Sequence, residues 1–385
     1  MKILHLIIDH QVIERTLGVY EKVFPGCNDV LVFSEKKSPV HLKHLNKYAS
    51  CMIVTKENVI QTGKAFDFEG YDHVVIHYLI WQMIEFVKLV PTNVKVCWEI
   101  YGYDLYNQFL EPLGYKIQQV DSKKYLSPKS RLLKSLKLDG LYLYLRSGNG
   151  MRFNPIRNKL FKQITSRVDS IAVCCTGDAK VLTEYTGREY QVFKAFNYSL
   201  HETLGELYGA PFNDAKGIMI GNSASFSNNH LYVLEMMKKF QIGDANIIMP
   251  LSYGGVPQYK DEVMDAYKKE YPGQVNFLLE YMPLHEYNRT FLKIGTMILA
   301  SWRQESIGTI MMGFYLGIKV FMSNKSPLYQ SLEEEGFVVY VIEDATNTNF
   351  SVPLTVEQKE HNRNLLLKDY SEEAFEKELN RQFSN

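Results

Sequence analysis

Short runs of β-branched and apolar residues alternate along this chain with longer segments of helical periodicity, and this alternation constrains the fold more than any other feature. It is the pattern of parallel strands joined by crossover helices. The first half contains KILHLII, DVLVF, CMIVT, HVVIHY, KVCWEI and SIAVCC, and the second contains KGIMIGN, ANIIMPL, VNFLLE, TMILAS, KVFMS and FVVYV. The sequence therefore predicts an α/β fold with two doubly wound units in succession.

The length of the chain and one break in the pattern predict the domains. At 385 residues the chain exceeds what a single hydrophobic core usually supports. The stretch YGAPFNDAKG interrupts the periodicity near the middle. We predict an N-terminal domain over residues 1–205, a C-terminal domain over 206–370 and a final helix over 371–385, which would cross back.

Charge and cysteine content exclude several classes of protein. Lys plus Arg equals Asp plus Glu at 43 each, so no global field favours nucleic acid as a partner. The five cysteines form no Cys-x-x-Cys pair and resemble reduced core residues. The apolar run in MKILHLIIDH is too short for a signal peptide or a membrane span. We expect a cytoplasmic protein.

A basic segment at about 106–166 departs from the alternation, lacks strand-like runs and predicts a helical insertion in the N-terminal domain. Between Lys116 and Arg167 it carries thirteen basic residues against Asp121 and Asp139. Basic residues interleaved with Leu and Tyr favour contact with anionic headgroups, here the inner face of the cytoplasmic membrane, or with a lipid-linked substrate. The alternative is a solvated helical hairpin that packs on its domain.

The stretch IMIGNSASFSNNH predicts a ligand loop between a strand and a helix. Gly221 allows close approach of the backbone to a ligand, and the N-terminus of the following helix offers N–H groups and positive partial charge. The expectation is that the backbone from Gly221 to Asn229 grips a diphosphate. The alternative is a plain turn in which Ser227 or Asn228 caps the helix.

A second such loop, SWRQESIGTIMMGFYLG, follows a later strand. Arg303 would supply a positive fork, Glu305 a carboxylate for a ribose or sugar hydroxyl, and Ser306, Gly308 and Thr309 a helix N-terminus. Strand carboxyl ends in a doubly wound sheet face one edge. The two loops are therefore expected to converge on one nucleotide diphosphate.

Two further stretches of the second half follow strands. In MPLSYGGVPQY, Tyr253 and Gly254 could form a wall for a base or sugar, or could belong to an ordinary surface loop. We interpret LLEYMPLHEYN as core, with a nucleobase-binding loop as the alternative.

The first half contains four candidates for a catalytic base. In WEIYGYDLY, Glu99 ends a strand and Asp104 follows a Gly102 turn, where a carboxylate could deprotonate an acceptor hydroxyl. His77 and His10 are expected at the same sheet edge. The alternatives are structural histidines and, for Asp104, a helix cap.

Several catalytic motifs are absent. The sequence has no Asp-x-Asp triplet, no HExxH and no Cys/His cluster, so it predicts neither a metal nor a cofactor. It also has no Gly-x-Ser-x-Gly elbow, which argues against a serine hydrolase.

Four motifs in this order resemble the family-56 glycosyltransferases, a family also described as 4-α-L-fucosyltransferase-like. They are W-x-I-x-G-x-D-L-Y at Trp98 to Tyr106, GNS-x4-N-x-H at Gly221 to His230, MPLSYG, and RQ-x2-IGT at Arg303 to Thr309 followed by Gly317 and Ile318. The resemblance implies a GT-B architecture of two Rossmann-like domains facing a cleft, with the acceptor mainly in the N-terminal domain and the donor in the C-terminal one.

The resemblance implies transfer of a deoxyhexose, 4-acetamido-4,6-dideoxygalactose or fucose, from a dTDP- or GDP-sugar to a lipid-linked or glycan acceptor. The catalytic candidates are Asp104, Glu99, His77 and His10. The donor candidates from the motifs and loops are Gly221, Asn222, Ser223, Asn228, His230, Tyr253, Arg303, Gln304, Glu305, Ser306, Ile307, Gly308 and Thr309. A nucleotide-sugar epimerase of the same fold and a non-catalytic polysaccharide-assembly scaffold are the competing interpretations.

Overall fold

The computed structural model describes residues 1–34, 42, 44–45, 51–119, 122–125, 127–136, 138–147, 154–195 and 199–383. The chain divides into two compact units. Unit 1 consists of Met1–Tyr115, Leu132–Tyr198 and Glu373–Asn385, and unit 2 consists of Lys116–Arg131 and Ser199–Glu372. The chain therefore passes from one unit to the other more than once.

Unit 1 contains a seven-stranded parallel sheet in the order β3-β2-β1-β4-β5-β6-β7. Its strands are β1 (Ile3–Ile8), β2 (Asn28–Phe33), β3 (Ile53–Val54), β4 (His73–His77), β5 (Lys95–Ile100), β6 (Ser170–Val173) and β7 (Gln191–Lys194). The central strands are buried along nearly their whole length, as expected where helices cover both faces of a parallel sheet.

Helices connect these strands. They are α1 (Gln11–Val23), α2 (Val59–Ala65), α3 (Trp81–Val87), α4 (Tyr103–Leu105), α5 (Pro128–Ser135), α6 (Asp139–Ser147), α7 (Asn154–Arg167) and α8 (Thr176–Thr186). A single π-helical turn, Tyr106–Leu110, directly follows α4.

Unit 2 contains a six-stranded parallel sheet in the order β10-β9-β8-β11-β12-β13. Its strands are β8 (Gly217–Ile220), β9 (Ile247–Pro250), β10 (Val275–Leu278), β11 (Ile294–Leu299), β12 (Lys319–Met322) and β13 (Tyr340–Val341). Its helices are α9 (Leu200–Leu204), α10 (His230–Met237), α11 (Pro257–Glu270), α12 (Leu284–Thr290), α13 (Ile307–Tyr315), α14 (Pro327–Glu334), α15 (Asn347–Ser351) and α16 (Val356–Asp369).

The last helix, α17 (Glu372–Phe383), packs almost entirely within unit 1. The Phe383 ring meets the rings of Tyr20 and Phe24 edge-on, at centroid distances of 5.7 and 5.8 Å. The Gln382 amide lies 3.0 Å from the Cys97 sulfur on β5. The end of the chain thus completes the core of the unit in which the chain begins.

The predicted α/β fold class is confirmed, since each of the twelve strand-like runs contains a strand. Strand β7 was missed because the run QVFK is short and half of it is exposed. The described part of the segment 106–166 contains helices and no strand, as predicted, and its residues Lys116–Arg131 belong to unit 2. Across the described ranges, no helix is both long and apolar enough to cross a membrane.

Candidate functional site

Loops after four neighbouring strands of unit 2 surround a cavity of about 220 Å³ at the carboxyl edge of the sheet. Ligands of doubly wound sheets bind at this edge. The loops after β8, β9 and β10 and the first turns of α12 and α13 contribute to the lining, which includes Asn222, Tyr253, Leu278, Glu280, Tyr287 and Thr309.

Gly221, directly after β8, occupies a position that no other residue fits. Its φ is +67°, and a Cβ there would lie 2.7 Å from Asn228 Oδ1 and 2.9 Å from His230 Nε2. Such distances require neighbouring atoms to move. The glycine therefore lets the side chains of Asn228 and His230 pack against the backbone.

The backbone of the same loop mostly bonds within the protein. The Asn222 N–H donates to Asn228 Oδ1 (2.9 Å), and the Asn228 amide donates to Ser223 Oγ (3.0 Å). The N–H groups of Gly221, Ala224, Ser225, Asn228 and Asn229 also have protein acceptors. Most donors of the expected diphosphate grip are therefore used to fold the loop, and the grip stays a prediction.

Glu305 joins the two predicted ligand loops. Its carboxylate accepts hydrogen bonds from Ser227 Oγ (2.7 Å) and Ser301 Oγ (3.0 Å), and it also lies 3.3 Å from Arg303 Nη2. All three contacts are made to the same oxygen, Glu305 Oε2. The carboxylate therefore fixes one loop against the other, and its expected contact with a sugar or ribose hydroxyl stays a prediction.

The N-terminus of α13 borders the cavity through Thr309. Ser306 precedes the helix in a left-handed conformation with φ +69°, and its side chain makes no capping bond. The buried Ser306 hydroxyl has no hydrogen-bond partner among the described residues. With the first-turn residues Ile307 and Gly308, this end offers N–H groups and positive partial charge to an anion.

Arg303 lies just before this helix and is 9% exposed. Its Nη1 donates to the Gln304 carbonyl (3.0 Å), while Nε has no partner within the described part of the chain. Asn222 Oδ1 is similarly buried and unpaired there. Unpaired buried polar atoms are uncommon in folded proteins, and a group that gathers at one sheet edge indicates a ligand site.

His230, the first residue of α10, is buried as a neutral imidazole. Burial lowers its pKa to about 3. Nδ1 lies 3.2 Å from the Tyr259 hydroxyl, whereas Nε2 beside Gly221 has no partner among the residues described. When the Tyr259 hydroxyl donates to Nδ1, the neutral ring carries its proton on Nε2 and is a donor there.

In unit 1, Asp104 is completely buried and serves as an acceptor. Oδ2 accepts from the Leu79 N–H (3.1 Å) and Trp98 Nε1 (3.0 Å), and Oδ1 accepts from the N–H groups of Tyr101 (3.0 Å) and Leu105 (3.1 Å). Burial raises the pKa of Asp104 to about 6, against the opposing effect of these bonds. The carboxylate therefore connects the turns after β4 and β5, and it is not accessible to a substrate hydroxyl.

Glu99 and His77 form a buried polar chain with His5. His77 Nδ1 lies 3.1 Å from Glu99 Oε2, and its Nε2 lies 3.0 Å from His5 Nδ1. The Tyr101 hydroxyl donates to Glu99 Oε1 (3.0 Å). The structure brings these two predicted candidates together, but beneath the surface.

His10 is the exposed member of the four catalytic candidates. It is the N-cap of α1, and its Nδ1 accepts a hydrogen bond from the Val12 N–H (3.2 Å). Partial desolvation of the ring and the nearby His44 lower the pKa of His10. The ring is therefore neutral near pH 7, with its proton on Nε2.

The interpretation of LLEYMPLHEYN as core was wrong. Leu278 and Tyr287 line the cavity, and Tyr281 and Leu284 are exposed. The signal for its place at the cavity was that it follows β10, which lies beside β9, the strand before Tyr253. In the described ranges, no group of three or more His, Cys, Asp or Glu could hold a metal ion.

Solved structures of glycosyltransferases share this fold across the whole chain. Anabaena Alr3699/HepE in complex with UDP has a TM-score of 0.63 at 10% identity, with 100% of both chains covered. The lipopolysaccharide outer core galactosyltransferase WaaB, in its apo form, has 0.62 at 10% identity, with 100% of this chain and 99% of that one covered. Sucrose-phosphate synthase from Thermosynechococcus elongatus has 0.61 at 11%, with 100% and 98% covered. The fold is therefore GT-B, as predicted.

A sequence match covers just over half of the chain. Residues 174–375 match the family described as "4-alpha-L-fucosyltransferase glycosyl transferase group 56". The matched range contains both unit 2 ligand loops. It confirms the family resemblance, three of whose four motifs lie in the matched range, and the prediction of a transferase. The chain belongs to glycosyl transferase group 56 and is a glycosyltransferase.

Proposed function

We propose that the enzyme transfers a deoxyhexose, 4-acetamido-4,6-dideoxygalactose or fucose, from a dTDP- or GDP-sugar to a hydroxyl of a lipid-linked or glycan acceptor in surface polysaccharide assembly. The description of its family as fucosyltransferases supports a deoxyhexose. The UDP and UDP-glucose complexes of Alr3699/HepE support a nucleotide-sugar donor. Residues 1–205 would bind the acceptor and residues 206–370 the donor.

One observation carries the donor site: the cavity of about 220 Å³ opens onto the N-terminus of α13 through Thr309. Tyr253, Leu278 and Tyr287 offer apolar and aromatic walls for a planar base. The diphosphate would then lie at the first turn of α13, against the unpaired Ser306 hydroxyl. This replaces the backbone of the Gly221 loop as the principal grip.

The leaving diphosphate gains negative charge as the bond to the anomeric carbon breaks. The α13 N-terminus, Arg303 and the neutral His230 Nε2–H would stabilise that charge, and removal of one such preorganised donor typically costs about 3–4 kcal/mol of the activation barrier. Metal independence is part of the proposal, since the sequence has no Asp-x-Asp triplet. Full activity in EDTA would support it.

The acceptor hydroxyl needs a base if the reaction inverts configuration. Exposure favours His10 over Glu99, His77 and Asp104, whose polar atoms bond within the protein. To accept a proton at Nε2, His10 must adopt the other tautomer and release the Val12 N–H. We propose that Asp104 and Glu305 are positioning residues.

The proposal includes peripheral contact with the membrane. Leu132 on α5, Leu136 just after it and Leu145 on α6 are all more than half exposed within the basic segment. Exposed leucines beside basic residues favour an interface of anionic headgroups and acyl chains.

Calorimetric titration of the full chain with dTDP, GDP and UDP tests the donor site, followed by transfer assays with the corresponding sugars. We expect one nucleotide to bind preferentially, and Arg303→Ala to abolish transfer while the protein stays folded, with a thermal midpoint lowered by the loss of the contact between Arg303 and Glu305. Arg303→Lys, which keeps the charge but loses the fork, should retain part of the activity. Absence of binding by all three nucleotides would contradict the donor assignment.

A further inference from the structure

The turn after β4 in unit 1 holds a bulky residue in a strained conformation. Tyr78 has φ +57°, in the left-handed region that favours glycine. It directly follows His77, at the carboxyl edge of the sheet. Such outliers persist where their surroundings fix them, and they cluster at binding and catalytic sites.

The next residue, Leu79, is held by the loop after β5 through both its backbone N–H and its carbonyl. The Leu79 N–H donates to Asp104 Oδ2 (3.1 Å), and Gln108 Nε2 donates to the Leu79 carbonyl (3.0 Å). Gln108 lies in the π-helical turn Tyr106–Leu110. Asp104 and Gln108 together therefore impose the strained turn at Tyr78.

The strain places the Tyr78 ring parallel to the Tyr103 ring, with an interplanar angle of 7° and centroids 6.3 Å apart. The Tyr101 ring meets Tyr78 edge-on at 6.2 Å and is anchored by its hydroxyl on Glu99. We call Tyr78, Tyr101 and Tyr103 the tyrosine shelf. Tyr103 is 49% exposed, so the shelf offers aromatic surface to solvent.

We propose that the tyrosine shelf binds a pyranose ring of the acceptor, with the C–H face of the sugar on Tyr103. The inference rests on the proposed function, in which unit 1 takes a glycan acceptor. A pyranose has one face of C–H groups that pack on the electron-rich face of an aromatic ring. The shelf lies at the carboxyl ends of β4 and β5, adjacent strands paired from His73 to His77, and ligands of doubly wound sheets bind at that edge.

The shelf also explains the buried Asp104. Its four hydrogen bonds connect the β4 turn, the β5 turn and the Trp98 indole, and they leave the two tyrosine rings parallel. A helix cap alone would not require a carboxylate that reaches Leu79, 25 residues away in sequence. Asp104 and Gln108 are positioning residues for the sugar subsite.

Saturation-transfer difference NMR on the full chain tests the subsite, with methyl N-acetyl-β-D-glucosaminide and methyl β-D-galactopyranoside as probes. We expect saturation of the ring C–H protons of at least one probe. It should fall several-fold in Tyr103→Ala and persist in Tyr103→Phe. Gln108→Leu, which frees the Leu79 carbonyl, should weaken it as well.

Tyr208→Ala is the matched control, because Tyr208 is 46% exposed and stacks on Tyr315 in unit 2 at 5.8 Å. An equal loss of signal in Tyr208→Ala, an unchanged signal in Tyr103→Ala, or no signal from wild type with either probe would overturn the subsite. Nucleotide titration of the same samples separates the two proposals. Loss of nucleotide binding alone counts against the donor site and not against the shelf.

Discussion

At the scale of single residues, Gly221 shows how the proposed donor loop, Gly221 to Asn229, depends on the absence of a side chain. Gly221→Ala would place its Cβ 2.7 Å from Asn228 Oδ1 and 2.9 Å from His230 Nε2, at φ +67°. We expect a loss of about 2–4 kcal/mol in the free energy of unfolding and a nucleotide affinity at least about tenfold lower. Thermal unfolding and calorimetric titration measure the two effects.

Gly187→Ala is the control that carries the strain of a positive φ without the steric clash expected in Gly221→Ala. Gly187 ends α8 with φ +66°, and a Cβ there would meet nothing within 4 Å. This variant should lose only about 1 kcal/mol and bind nucleotide normally. Equal effects of the two substitutions would mean that close packing at Gly221 does not matter.

The predicted role of His10 as base can be tested without removing the helix cap. Asn is among the best N-cap residues, so His10→Asn keeps an acceptor for the Val12 N–H while it removes the imidazole. We expect turnover to fall about 100-fold or more, with nucleotide affinity and thermal midpoint unchanged. Wild-type turnover in this variant would place the base elsewhere.

The buried His230 makes stability depend on pH. Its pKa is about 3 in the folded protein, against an ordinary value of 6.5, so below pH 6.5 the unfolded chain binds a proton that the folded chain does not. Stability is then lost as the pH falls from about 6.5 towards 3. His230→Gln should be less stable at pH 7 but lose stability less steeply, by up to about 1.4 kcal/mol per pH unit.

Urea unfolding at pH 7, 6, 5 and 4 measures that slope. His5, whose pKa burial and His77 also lower to about 3, provides the same sense of dependence in unit 1 and remains in the variant. Parallel curves for wild type and His230→Gln would show that His230 is not buried as a neutral group.

The sequence predicted the role of a residue where a backbone conformation required it. It did not predict the role of a polar residue whose hydrogen-bond partners lie far away in the chain. Gly221 could be predicted because a glycine between a strand and a helix commonly adopts a backbone conformation that side chains disfavour. Asp104 was a candidate base, with a helix cap as the alternative, because a carboxylate after a glycine turn has the same sequence whether it faces solvent or four N–H groups of the protein. Its deciding partner, the Leu79 N–H, lies 25 residues earlier in the chain.

At the scale of elements, the segment Lys116–Arg131 stabilises the donor loop although its neighbours in sequence belong to unit 1. The Tyr125 ring packs against Phe226 and Tyr259 at 5.2 and 5.5 Å, and its hydroxyl donates to Glu262 (2.9 Å). The Gln119 N–H donates to Asn229 Oδ1 (2.8 Å). Composition identified this segment as basic and helical, but periodicity carries no information about the unit on which a segment packs.

Tyr125→Ala should therefore weaken nucleotide binding, although Tyr125 does not line the cavity. Loss of the ring removes packing under Phe226, which lies in the donor loop, and we expect a nucleotide affinity about three- to tenfold lower together with a lower thermal midpoint. Tyr125→Phe keeps the packing and loses only the bond to the exposed Glu262, so it should resemble wild type. Identical nucleotide affinities of wild type and both variants would show that packing of Tyr125 does not affect nucleotide binding.

At the scale of the whole molecule, a chain with no net charge concentrates basic and apolar surface in one segment. Thirteen basic residues against two acidic ones lie between Lys116 and Arg167. Attraction to anionic lipid from such a segment is local and falls off within about 10 Å at 0.1 M salt. Leu132 and Leu145, 59% and 74% exposed, would add an apolar contribution that salt does not screen.

Co-sedimentation with anionic vesicles at 0.05 and 0.5 M NaCl separates the two contributions. We expect wild type to bind strongly at low salt and to retain a fraction at high salt, because the leucine side chains enter the acyl boundary. The double variant Leu132→Ser, Leu145→Ser should lose the high-salt fraction entirely and bind several-fold less at low salt. Leu292→Ser, at a leucine 46% exposed in unit 2, should match wild type. Vesicle binding that the double variant leaves undiminished would refute membrane contact through these leucines and leave electrostatic attraction as its sole basis.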